Sequence, residues 1–84
     1  MIYLMCSIYD VKANMYHFPF AASNREVAKR QFAATVSDPA SMLSKFPADF
    51  ILQVVGEYDD SSASIQPYEA VDNLCNGSNV REYL

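Results

Sequence analysis

The chain has 84 residues, 51% of them hydrophobic, with six Tyr, five Phe and a formal net charge of −4. That length allows one domain near the lower limit of a self-supporting core, burying about 60–65% of the surface its unfolded form exposes. No apolar run reaches bilayer length, which excludes a membrane-spanning helix, and the acidity disfavours polyanion binding unless the few cations share one face.

The apolar fraction exceeds what a small two-layer core easily hides, so self-association as a homodimer or higher oligomer is expected. Met1 to Tyr9 lacks the basic start and small-residue cleavage site of a secretion signal. Cys6 and Cys75 stand far apart with no metal-type spacing and read as free thiols.

Ile2 to Tyr9 alternates as a strand, with Ile2, Leu4, Cys6 and Ile8 on one face and Tyr3, Met5, Ser7 and Tyr9 on the other. Asp10 to Asn14 supplies a hairpin turn, and Met15 to Phe18 reads as the return strand, ended by Pro19. Ser23-Asn-Arg-Glu26 has the spacing of a capping box and predicts a helix from about Asn24 to Val36. Its packing side takes in Val27, Ala28, Gln31, Phe32, Ala34, Thr35 and Val36, with Arg25, Glu26, Lys29, Arg30 and Ala33 opposite. Glu26 and Arg30 form an i,i+4 pair, which leaves Arg25 and Lys29 without partners. Asp38-Pro39 reads as the cap and first residue of a short helical turn through Met42 to Lys45, stopped by Pro47.

Phe50 to Asp60 is the central strand, with Phe50, Leu52, Val54 and Tyr58 on one face and Ile51, Gln53, Val55 and Glu57 on the other. Asp59 to Ser62 form a turn, and Ala63 to Gln66 suit a short edge strand closed by Pro67. Glu69 to Leu74 fit one or two helical turns, Asn76 to Asn79 a loop, and Val80 to Leu84 a tail that docks or hangs free. The resulting class is α+β: a small antiparallel sheet in ββαβ order, with room for a fourth strand and one main helix packed on one face. Residues 1–68 make the domain and residues 69–84 an acidic C-terminal segment, docked or flexible.

The charge is uneven. Lys12, Arg25, Lys29, Arg30 and Lys45 face only Asp10, Glu26 and Asp38 in the first 45 residues. Beyond them Arg81 stands against Asp49, Glu57, Asp59, Asp60, Glu69, Asp72 and Glu82. No catalytic set is legible: His17 is the single histidine, Gly56 and Gly77 are the only glycines, and Glu57, Asp59 and Asp60 read as turn formers and solvated charge. Neither a cofactor nor a metal is implied. Tyr3, Tyr9 and Tyr16, with Phe18, have the strand spacing of a base-stacking platform, with Lys12, Arg25, Lys29 and Arg30 as candidate phosphate partners. The competing reading buries the same rings in a dimer interface or under the helix. The acidic back half reads as a solvated face, as a segment that competes with nucleic acid for the basic groove, or as one that recruits other proteins.

An ordered string of motifs supports a family resemblance. I-Y-x-x-x-x-I-Y-D at Ile2 to Asp10, Y-x-x-P-F at Tyr16 to Phe20, R-x-F at Arg30 to Phe32 and D-P-x-S at Asp38 to Ser41 are followed by K-x-P-x-D-F at Lys45 to Phe50 and G-E-Y-D-D at Gly56 to Asp60. Over about residues 2–68 the chain resembles the small nonstructural protein of gokushoviruses, single-stranded DNA phages of the Microviridae. The resemblance implies a non-enzymatic accessory protein in the host cytoplasm that binds single-stranded DNA during genome synthesis or packaging. A protein adaptor or scaffold, acting with phage replication or packaging proteins, is the alternative.

Overall fold

The computed structural model describes residues 1–83. It is an α+β fold in which a five-stranded antiparallel sheet carries one main helix on one side. The strands are β1 (Ile2–Asp10), β2 (Met15–Tyr16), β3 (Phe20–Ala22), β4 (Phe50–Asp59) and β5 (Ser64–Asn76). β1 is central: β4 lies along one edge, while β2 and β3 share the other. Pro19 interrupts that outer edge without ending it. The return strand is cut to Met15–Tyr16, and pairing resumes past the proline with Cys6 opposite Phe20.

α1 spans Arg25–Ser37 and begins one residue later than a Ser23 capping box requires. Asn24 is the cap, its side-chain oxygen accepting from the Val27 N–H at 2.9 Å. The helix is also rolled relative to the expected wheel. Ala28, Phe32, Ala33 and Val36 are buried, whereas Gln31, Ala34 and Thr35 are exposed. The cause is the chain end: 3-10 turns at Gly77–Tyr83 pack beside α1, bury Val80 and cover the flank that carries Ala33 and Lys29. α2 (Met42–Lys45) takes Ser41 rather than Asp38 as its cap, with the Leu43 N–H donating to Ser41 Oγ. Pro47 opens a 3-10 turn, Pro47–Asp49, that leads into β4.

The core lies between sheet and helices, where Cys6, Ile8, Phe50, Leu52 and Val54 meet Ala28, Phe32, Val36, Leu43 and Val80. β4 carries an extra residue against β1: Met5 pairs with Gly56 and Cys6 with Val54, so Val55 has no partner there. This bulge reverses the alternation beyond it. Tyr58 therefore does not share the face of Leu52 and Val54; it pairs with Tyr3 on the opposite side, and Glu57 pairs with Leu4 on the helix side.

β5 extends well past Pro67, and Glu69 to Leu74 are strand rather than helix. The proline is tolerated because β5 is the sheet edge and is irregular there, with residues 68–71 inserted between the Gly56–Pro67 and Val54–Asp72 pairs. Both glycines permit close backbone approach. A Cβ at Gly56 would strike the Gln66 carbonyl oxygen, and one at Gly77 the Pro47 carbonyl oxygen. The expected tail is docked through Val80 and Tyr83, while Leu84 lies outside the described residues.

Candidate interaction surface

In an antiparallel pair, residues directly opposite each other point to the same side. The registers of β1, β2, β4 and β5 therefore assign Tyr3, Met5, Tyr9, Tyr16, Ile51 and Tyr58 to the face away from α1. Among the described residues no helix is assigned to this face, although its centre is buried, with Ser7 4% and Gln53 6% exposed. Between its aromatic ends runs a polar row, Ser7 opposite Gln53 opposite Asn73. Ser7 Oγ donates to the His17 carbonyl at 2.7 Å, and Gln53 Nε2 donates to Asn73 Oδ1 at 2.8 Å.

Charge separates the two sides of the sheet. The charged residues at paired strand positions are Asp10, Glu57, Asp59 and Asp72, and their registers put all four on the helix side. The open face has no charged residue at a paired position. This follows from the alternation in β1 together with the bulge at Val55, which removes Glu57 from that face and adds Tyr58.

The seven candidate nucleic-acid residues fall into two groups. Tyr9 and Tyr16 pack together with ring centroids 4.8 Å apart, beside the turn that carries Lys12. The turn is firmly built. Asp10 Oδ1 accepts from the Lys12 and Ala13 N–H groups at 3.0 and 3.1 Å, and the Tyr9 hydroxyl donates to Asn14 Oδ1. Asn14 holds the left-handed conformation the turn needs, at φ 56°. Tyr3 lies on the same face but six residues along β1, about 20 Å from Tyr9.

Arg25, Lys29 and Arg30 are on α1, across the sheet from the tyrosines. Arg25 is paired with Asp72 of β5. Lys29 pairs with Glu26 at 3.5 Å and lies over the Tyr83 ring, 5.3 Å from its centroid. The expected Glu26–Arg30 pair is thus replaced by Glu26–Lys29, and the two cations expected to lack partners are the ones engaged. Arg30 lies on the outer helix surface beside Val27, Gln31 and Ala34. Sequence periodicity could not reveal these partners, because Asp72 and Tyr83 arrive from the far end of the chain.

Glu57 and Asp59 lie on the same side of β4 but have different hydrogen-bond partners. Glu57 accepts from the Tyr68 hydroxyl at 2.9 Å; burial, followed by that bond, pushes the Tyr68 hydroxyl above its usual range. Asp59 Oδ1 accepts from the Ser61 hydroxyl and N–H at 2.7 and 3.0 Å, and these bonds hold its carboxyl below the usual range. His17 is exposed and sets its ring edge-on to Phe50, with centroids 5.7 Å apart. Among the described residues no three His, Cys, Asp or Glu side chains group as metal ligands, and no helix is long and apolar enough to cross a membrane.

Compared with known proteins, residues 3–80 match the family model described as Phage ORF5 protein. No curated protein and no solved structure matches.

Proposed function

The chain belongs to the Phage ORF5 protein family, and on that premise we propose a non-enzymatic accessory protein of a gokushovirus, acting in the host cytoplasm as an adaptor. Its open sheet face receives an apolar, uncharged surface of a phage replication or packaging protein. The supporting observation is that no strand-paired residue of this face is charged, although it presents Tyr3, Tyr9, Tyr16 and Tyr58. Depletion of charge with enrichment of Tyr and Met is the composition of an interface core. A surface that tracks phosphates needs cations around its rings instead. The helix cations are across the sheet, and Arg25 and Lys29 already hold carboxylates.

One observation favours single-stranded DNA as a second ligand: Lys12 rides on the turn next to the Tyr9–Tyr16 pair. The two functions respond with opposite sign to Ile51→Lys, which puts a cation beside Tyr9 on the open face. In the adaptor, the added charge weakens co-purification with co-expressed phage replication or capsid proteins, and labelled single-stranded DNA at low salt shows no saturable binding. Saturable DNA binding strengthened by Ile51→Lys and weakened by Tyr9→Ala or Tyr16→Ala, together with co-purification that Ile51→Lys does not weaken, would replace the adaptor with the DNA function.

A further inference from the structure

Phe18 is 96% exposed, an extreme value for a phenylalanine in a small folded chain. It is held there by its neighbours. The His17 N–H donates to the Ile8 carbonyl at 2.8 Å, which anchors the segment to β1. Pro19 donates no hydrogen bond to the sheet and confines residue 18 to extended backbone. The ring is therefore displayed on a fixed stem, which lowers the entropy lost when it docks.

A groove of about 410 Å³ opens in the same half of the molecule, with Met42, Phe46, Phe50 and Ala13 as its apolar wall and Asp10, Lys12 and Asp49 around them. Met42 and Phe46 are both more than half exposed. The groove is braced by the Val11 N–H donating to the Asp49 carbonyl at 3.0 Å. Phe50 at its base touches the His17 ring, next in sequence to Phe18. An exposed ring on a fixed stem and an apolar groove thus lie near one another on the same chain. That is the requirement for an isologous contact, in which each subunit gives what the other receives.

We propose that two copies of this chain dimerise by exchanging Phe18, each ring entering the other copy's groove between Met42, Phe46 and the Asp10–Ala13 turn. The groove opens on the side of the sheet where Asp10 pairs with Phe50, the side away from the tyrosines, so the dimer does not rest on the adaptor function. Phe18 is 96% and Phe46 55% exposed in the single chain, so either Ser variant is expected to fold, with an unaltered circular dichroism spectrum.

Sedimentation velocity over a concentration series tests the exchange. The unaltered chain is expected to dimerise, and Phe18→Ser or Phe46→Ser each to raise the dissociation constant by at least about tenfold. Mixing the two variants partly restores dimers, because the Phe46→Ser chain still offers Phe18 and the Phe18→Ser chain still offers the groove. Ile51→Lys on the open face leaves the dimer intact. A chain that stays monomeric at about 100 µM overturns the proposal. So does a Phe18→Ser chain that dimerises as tightly as the original, or a mixture no better associated than either variant alone.

Discussion

Tyr3 of β1 lies directly opposite Tyr58 of β4, although strict alternation from Phe50 would put Tyr58 under the helix with Leu52 and Val54. The unpaired residue between Cys6–Val54 and Met5–Gly56 makes the difference. Were Val55 itself paired with Met5, Glu57 would fall opposite Tyr3 on the open face and Tyr58 opposite Ile2 on the helix side. The uncharged character of the open face thus depends on a one-residue irregularity.

Deleting Val55 keeps the Cys6–Val54, Met5–Gly56, Leu4–Glu57 and Tyr3–Tyr58 pairs, so Glu57 and Tyr58 stay on their present faces. Inserting one alanine between Gly56 and Glu57 instead turns every following side chain of β4 to the other face. Chemical denaturation should show a loss of about 2–4 kcal/mol for the insertion, in the range of other severe core disruptions, and a smaller loss for the deletion. Equal losses would mean that facing beyond Gly56 does not matter.

Gly56→Ala should destabilise by about 1–3 kcal/mol through overpacking, because the added methyl meets the Gln66 carbonyl of the neighbouring strand rather than a flexible side chain. Gly77→Ala should behave similarly, against Pro47, and should also loosen the tail from α1. Hydrogen exchange separates them: Gly56→Ala exposes β5 amides, and Gly77→Ala exposes the amides of Gly77–Tyr83 first.

Acid should remove one identifiable contribution to stability. Bonds from Ser61 lower the Asp59 pKa in the fold below its ordinary 3.8. The unfolded state therefore takes up the proton first as pH falls, and the stabilisation is present above that value and lost as pH drops through the lower folded one. Ser61→Ala should reduce stability at neutral pH, and its difference from the original chain should vanish in strong acid. A difference that persists there assigns the effect of Ser61 to something other than Asp59.

Cys6 is fully buried and Cys75 half-buried, and burial raises both thiols above their usual pKa. Less thiolate and less access both slow alkylation. Iodoacetamide at neutral pH should modify Cys75 slowly and Cys6 only on unfolding, which mass spectrometry can follow residue by residue. Rapid modification of Cys6 in the native protein would mean that β1 opens locally.

Local pattern alone determined much of this fold. The alternation of Ile2 to Tyr9, the turn at Asp10 to Asn14, the polar start of α1 and the β-branched run from Phe50 specify β1, the turn that follows it, one helix and β4, because each signal is complete within a few residues. The tyrosine-bearing face of β1 is legible for the same reason. Tertiary structure alone decided the rest. Glu69 to Leu74 suit a helix in isolation, but the free edge of β4 offers a row of N–H and C=O groups that a strand satisfies. The docked tail packs beside α1, on which Ala33 is buried, and places Tyr83 over Lys29. Arg25 found Asp72, 47 positions away, only once β5 had paired. The candidate DNA residues accordingly divided between two sides of the sheet, since periodicity assigns each residue a face within its own element, and only packing decides which faces meet.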